Sequence, residues 1–172
     1  MTTAEMVIPE VHSWSQIVER ANERTAATKP TVALVCLDDH ATVAAYGRAF
    51  HEGLIKPRVF APDEDVSGAA KELTAELDDE MVEAVSCGKY AEVLRRIMAD
   101  DTVDAVVYGG DHPGEFMDAL LLEDTGFVGK RTVVSHVGIM QAERYPKLLF
   151  LTDALFNPNP DLVTKLGLIA NL

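Results

Sequence analysis

The sequence predicts an α/β fold: a mostly parallel sheet of about five to six strands flanked by helices. Three observations carry this expectation. Thr31 to Leu37, a short, continuous apolar run rich in β-branched residues, and Val103 to Tyr108 read as buried strands. Segments with apolar residues at helical spacing alternate with them, as crossover units require. The breaks between segments hold glycine, proline and aspartate, the residues that turns demand. Such alternation implies right-handed crossovers. Internal repeats and low-complexity linkers are absent from the sequence, so residues 1–172 read as a single α/β domain.

In chain order, Ser13 and Gln16 have capping-box spacing at the start of a first helix, whose Trp14, Ile17, Val18 and Ala21 share a face. Pro30 ends that segment, and Thr31 to Leu37 is the first strand. Asp38-Asp39-His40 turns into a second helix, with Asp39 placed to cap it and Gly53 near its end. Arg58 to Ala61 is a second strand. Residues 65–79 are acidic and weakly helical, and Glu80 to Ser86 alternates as a strand does. Lys89 to Ala99 is helical through Tyr90, Val93, Leu94 and Ile97. Val103 to Tyr108 is the next strand, followed by Gly109-Gly110 and by a helix over Glu115 to Leu122. Arg131 to Met140 and Lys147 to Thr152 read as fifth and sixth strands. Asn159, with Pro160 at the first helical position, is expected to cap a final helix with Leu162, Val163, Leu166 and Ile169 on its apolar face.

Composition narrows the function. Fifteen basic residues (15) against 28 acidic ones give a net charge of −13, which repels nucleic acid and anionic membranes. Much of the acidity lies between Asp63 and Glu83 and at Asp100-Asp101. No apolar run reaches the roughly 20 residues of a bilayer span, and the opening residues lack a basic, apolar leader, so the expectation is a cytoplasmic protein. Cys36 and Cys87 lack metal spacing and read as free thiols, Cys36 within a packed apolar run.

In open parallel sheets ligands bind beyond the carboxyl ends of the strands, which directs attention to four turns. Gly109-Gly110-Asp111-His112-Pro113-Gly114 joins a strand to a helix. It could cradle an anion on backbone N–H groups or be a plain tight turn; it matches neither a P-loop nor a dinucleotide fingerprint. Arg131 could hold a phosphate in a bidentate fork or be a surface cation. Ser135-His136 is counted among these four, and His136 is either a general acid/base or a packed core histidine. Asp153, with Asn157 in a proline-rich corner, either bonds loop backbone or lines a cleft. Asp38, Asp39 and His40 make a poor metal set, and a helix cap is the better reading.

Several segments together resemble the phosphate acetyl/butyryltransferase family, specifically its amino-terminal half. They are VALVCLDDHATVAAYGRAFHEGLIKPRVF, VDAVVYGGDHPGEFMDALL, RTVVSHVGIM and KLLFLTDALFNPNPDLVTKLGLIAN. The resemblance covers nearly the whole chain from residue 31. It implies a half of the isocitrate/isopropylmalate dehydrogenase kind of fold, with residues 1–152 as the family's first domain and 153–172 as the start of its second. It implies transfer of an acyl group between coenzyme A and phosphate, giving an acyl phosphate and free coenzyme A. No metal, no covalent enzyme intermediate and no cofactor are implied, coenzyme A being a substrate. The binding candidates it leaves are Gly109, Gly110, His112, Arg131, Ser135, His136, Asp153 and Asn157. Two departures stand out: Asp111-His112-Pro113-Gly114 lacks the hydroxyls usual at the glycine turn, and family proteins run to roughly twice this length. An incomplete site, or a non-catalytic binding module, is therefore expected beside the enzyme reading. A homo-oligomer or partner chain is expected to cover Leu155, Phe156 and the 162–169 face.

Overall fold

A computed structural model describes residues 11–62, 69–85, 89–129, 133–153 and 155–172. The chain divides into two compact units, residues 24–131 and residues 1–23 with 132–172.

Among its described residues the larger unit holds the strands and α-helices β1 (Thr31–Val35), α2 (His40–His51), β2 (Lys56–Pro62), α3 (Ala69–Ala75), β3 (Val82–Val85), α4 (Tyr90–Ala99), β4 (Ala105–Tyr108) and α5 (Pro113–Leu120). The sheet is wholly parallel, in the order β3-β2-β1-β4. Alternation along β1 sends Val32 and Leu34 to one face and Ala33 and Val35 to the other. The first pair packs with Val43 and Tyr46 from α2, Leu73 from α3 and Leu77 just after α3. The second packs with Val93, Leu94, Ile97, Phe116 and Ala119 from α4 and α5. Helices thus clad both faces, the reason β1 is apolar from Val32 to Val35. The order reverses between β1 and β4, which makes this the switch point of the sheet.

Local chemistry fixes the joins. Asp39 caps α2, accepting from the N–H groups of Ala41 and Thr42 and from the Thr42 hydroxyl. α2 ends in a Schellman motif: Gly53, at φ +70°, donates to Phe50 and Leu54 donates to Ala49. Buried Tyr46 donates its hydroxyl to the Val32 carbonyl at 2.6 Å and accepts from the Arg58 N–H at 3.1 Å, stitching β1 to β2. Burial pushes that phenol up to about 12. At the β3 edge, Glu83 accepts from both Arg58 and Arg96.

The smaller unit contains α1 (Trp14–Thr25) as far as Glu23, with β5 (Gly138–Gln141), β6 (Leu148–Leu151) and α6 (Leu162–Ala170). The first helix begins as the capping pattern predicts: Ser13 Oγ accepts from Gln16 N–H at 3.3 Å, and the Gln16 side chain accepts from His12 N–H at 2.7 Å. None of its residues is buried, so the Trp14–Val18 face is an exposed one.

The fold class is as predicted, with two differences of detail. The parallel sheet has four strands; the fifth and sixth expected strands shorten to β5 and β6 and pair with each other, antiparallel. They are joined by a short connection, which permits only that direction. The last helix is capped by Asp161, whose carboxylate accepts the Thr164 N–H at 2.8 Å, and starts at Leu162 rather than at Pro160. Aspartate is as good a cap as asparagine, and here it lies next to the first apolar helical residue. Residues 63–68, Cys87 and the first part of the 131–140 segment lie outside the described residues. Among the described residues no helix is long and apolar enough to cross a membrane.

Candidate functional site

The expected site residues fall into two groups, one in each unit. Gly109, Gly110 and His112 follow β4 at the switch point, where ligands sit in many parallel sheets. There the backbone is committed to its own neighbours. Gly109 donates to the Val35 carbonyl at 2.8 Å and accepts from the Asp39 N–H at 2.7 Å, tying the turn after β4 to the turn after β1. Cys36 is buried with φ +64°, a left-handed conformation unusual for a non-glycine residue, and its carbonyl oxygen faces Gly109. A Cβ at 109 would lie 2.6 Å from that oxygen, so only glycine fits. A Cβ at 110 would collide with the Tyr108 ring.

Aromatic packing takes up the space beside this turn. Tyr108 stacks on Phe116 at 4.4 Å, and Tyr90 meets both rings edge-on. The Tyr108 hydroxyl accepts the His112 N–H at 3.3 Å and lies 3.4 Å from the Tyr90 hydroxyl. Burial first, then the neighbouring phenol, pushes the Tyr90 hydroxyl well above its ordinary range. His112 is the N-cap of α5 without a side-chain cap bond, and Pro113, at the first helical position, has no N–H to give. The glycines of this turn therefore meet a packing requirement, and two of the backbone donors an anion could use are already bonded.

The second group gathers around the corner after β6. Asp153 Oδ1 accepts the N–H groups of Leu155 and Phe156 at 2.8 and 3.1 Å, and Oδ2 accepts from the Asn157 amide at 2.6 Å. Desolvation opposes ionisation of this carboxyl, but the bonds from Leu155, Asn157 and Phe156, with the His136 backbone N–H, outweigh it and hold it down at about 2. The Asn157 amide also donates to the Val134 carbonyl at 2.8 Å, so one side chain fastens the corner to the segment before β5. Asn171, at the end of α6, donates to the Val133 carbonyl at 2.8 Å and to Ser135 Oγ at 2.9 Å. Ser135, His136, Asp153 and Asn157 are thus brought together, as candidates from one corner.

Two polar atoms in this corner are buried without a protein hydrogen-bond partner: His136 Nδ1 and Thr152 Oγ1. Thr152 also lines an open recess of about 320 Å³, together with Asp153, Asn157, Pro158, Lys165 and Ile169, among others. Lys165 brings a cation and Asp153 a fixed anion to its wall. Arg131 lies outside the described residues. Sequence reasoning passed over Asn171, Thr152 and Lys165. Asn171 was visible as the last residue of the Ile-Ala-Asn ending, but its bond to Ser135 spans 36 positions and leaves no local pattern. Asp39 is used as a helix cap, and among the described residues no cluster of His, Cys, Asp and Glu side chains is arranged to hold a metal ion.

No family model matches the chain. It is 23% identical to the phosphate butyryltransferase of Clostridium acetobutylicum over 162 residues, which cover 94% of this chain and 52% of that protein. It is 25% identical to the phosphate butyryltransferase of Clostridium beijerinckii over 142 residues, 81% of this chain and 46% of the relative. It is 27% identical to the phosphate acetyltransferase of Rhizobium meliloti over 147 residues, 84% of this chain and 46% of the relative. The chain spans about half the length of the curated relatives it matches. The resemblance read from its motifs holds: over most of its length this chain is similar to phosphate butyryltransferases and phosphate acetyltransferases.

Proposed function

We propose that this chain is a phosphate acyltransferase-type protein of the cytoplasm, acting on an acyl-CoA and inorganic phosphate through a site of which it carries a part. The observation that supports this best is a coincidence of sequence and geometry. The stretches that resemble the family, Ser135-His136-Val137 and Thr152 to Asn157, are the ones whose polar groups meet at the corner after β6. In the reaction, a phosphate oxygen bonds to the acyl carbonyl carbon and the carbon–sulfur bond breaks. Sulfur keeps the electron pair and leaves as the coenzyme A thiolate, which is a competent leaving group.

The roles follow from the chemistry of each group. Lys165, Ser135 Oγ and Thr152 Oγ1 are the described donors suited to a phosphate, and Arg131 is the cation that sequence nominates for a bidentate hold. His136 presents a ring nitrogen, Nδ1, that no protein group engages, and is the candidate general acid or base. Asp153 is a positioning residue: a carboxyl held at about 2 is too weak a base to take a proton from a thiol, and its oxygens already organise the corner. Gly109, Gly110 and His112 belong to the packing of the switch point in this reading.

One observation favours a second reading, a binding or subunit-contact module without turnover. The glycine turn carries Asp111, lacks an N–H at Pro113 and gives its His112 N–H to Tyr108, which disfavours an anion there. The test is phosphate- or arsenate-dependent cleavage of acetyl-CoA and butyryl-CoA. Cleavage abolished in Arg131→Ala and weakened at least tenfold in Lys165→Ala supports the enzyme reading. Absence of both cleavage and coenzyme A binding overturns it in favour of the module.

A further inference from the structure

A serine hydroxyl has one proton to give and two lone pairs to receive, so its partners decide whether it can donate to an anion. At Ser135 the partner is the Asn171 amide nitrogen, 2.9 Å from Oγ. An amide nitrogen only donates, so Ser135 accepts there and keeps its own proton. The amide cannot be turned round. Its nitrogen also donates to the Val133 carbonyl at 2.8 Å, and a flip would set two acceptor oxygens against each other. Both amide protons are thereby spent, one on each oxygen. Among the described residues, no hydrogen bond takes the Ser135 proton in return.

The end of α6 is prepared for this contact. Gly167 and Asn171 stand one helical turn apart, on the same side of the helix. A Cβ at 167 would lie 2.9 Å from the Val133 side chain, so the glycine lets α6 come close to the segment before β5. The Asn171 N–H bonds to the Gly167 carbonyl at 3.1 Å, which fixes the backbone from which the amide reaches. A side chain with a single carbon between backbone and amide is then long enough to meet both oxygens.

We propose that Asn171 is a positioning residue that makes Ser135 a hydrogen-bond donor to phosphate, acting through the hydroxyl without touching the anion. This rests on the reading of the corner after β6 as a phosphate site. Phosphate oxygens are acceptors, and a hydroxyl answers them only with an unspent proton. Without Asn171 the hydroxyl is free to give its proton to water or to a protein carbonyl, and has to surrender that bond to meet phosphate. With Asn171 in place the choice is made before the anion arrives, so the hydroxyl needs no reorganisation. Aspartate at 171 would reverse the polarity, because an ionised carboxylate only accepts and would take the Ser135 proton for itself.

Isothermal titration calorimetry of inorganic phosphate into the chain tests this, with coenzyme A titrated separately as the control. Ser135→Ala should weaken phosphate at least about tenfold, and Asn171→Ala about three- to tenfold, with far-UV circular dichroism matching the parent. In the Ser135→Ala background, Asn171→Ala should change phosphate affinity by less than about twofold, because the group it acts through is gone. Asn171→Asp should weaken phosphate more than Asn171→Ala, and the loss that survives in Ser135→Ala measures the plain repulsion of the added charge. Where Asn171→Ala does not keep the far-UV spectrum of the parent, the near-isosteric Asn171→Asp takes its place in the cycle. Coenzyme A affinity should stay within about twofold in Asn171→Ala, since a positioning role acts on phosphate through one hydroxyl. Phosphate binding untouched by the change at 171, effects at 135 and 171 that simply add, or equal loss of phosphate and coenzyme A would each overturn the proposal while leaving the phosphate site standing. A parent chain that binds neither ligand, or a Ser135→Ala chain that binds phosphate as tightly as the parent, overturns the reading of the corner, and the proposal falls with it.

Discussion

The glycine turn after β4 and the corner after β6 both lie at strand ends, yet they use their hydrogen-bonding groups in opposite ways. At the turn, Gly109 and His112 give their N–H groups to Val35 and Tyr108, and three aromatic rings fill the adjoining space. At the corner, Asp153, Asn157 and Asn171 fasten the backbone, leaving His136 Nδ1 and Thr152 Oγ1 without a protein partner and Thr152 and Lys165 on the wall of an open recess. The first region is a joint, and the second is where we propose a ligand sits. A glycine-rich turn at a switch point is therefore no guide to an anion site until its N–H groups have been traced to their partners.

Substitutions separate the two roles. Gly109→Ala forces a methyl group onto the Cys36 carbonyl oxygen, whose backbone has little room to shift, and should cost about 1–3 kcal/mol of stability. Chemical denaturation measures this, and coenzyme A binding by the folded variant should be unchanged; a weakened ligand with unaltered stability would make the turn part of the site. Asn157→Ala removes two hydrogen bonds that hold the corner together and should cost about 1–2 kcal/mol. It should weaken phosphate and coenzyme A as well, and an effect on stability alone would demote the corner to a joint.

The smallest expected effect is on acid stability. Asp153 is held ionised to about 2 in the folded chain, against about 3.9 for a free aspartate. Because the folded value is the lower one, its contribution is fully present above about pH 4 and is lost as pH falls towards 2. Thermal unfolding of the parent and of Asp153→Asn should therefore differ above pH 4 and converge near pH 2. Curves that stay parallel throughout would show that the carboxylate does not hold the corner.

Much of the fold was legible in the sequence because burial on two faces leaves a local mark. Val32 to Leu37 is apolar at every pleat, and α4 repeats its apolar residues at helical spacing; Val103 to Tyr108 is interrupted by Asp104, and β4 is only partly buried, with Ala105 exposed. The pairing of β5 with β6 was less legible, since neither run states its partner and the connection between them had to decide the direction. Asp161 was passed over as the cap because Asn159-Pro160 offers the same signal two residues earlier. At the site, Ser135, His136, Asp153 and Asn157 were visible as polar residues ending apolar runs. That they converge, and that the glycine turn closes on Tyr108, depends on side chains meeting across the fold, which no spacing records.

The central claim is that phosphate and coenzyme A settle at the corner after β6. Hydrogen exchange read by mass spectrometry, with and without coenzyme A and inorganic phosphate, tests it directly. Slower exchange in residues 133–136 and 153–157, with 109–114 unchanged, is the predicted result. Protection at 109–114 with the corner unaffected would contradict it.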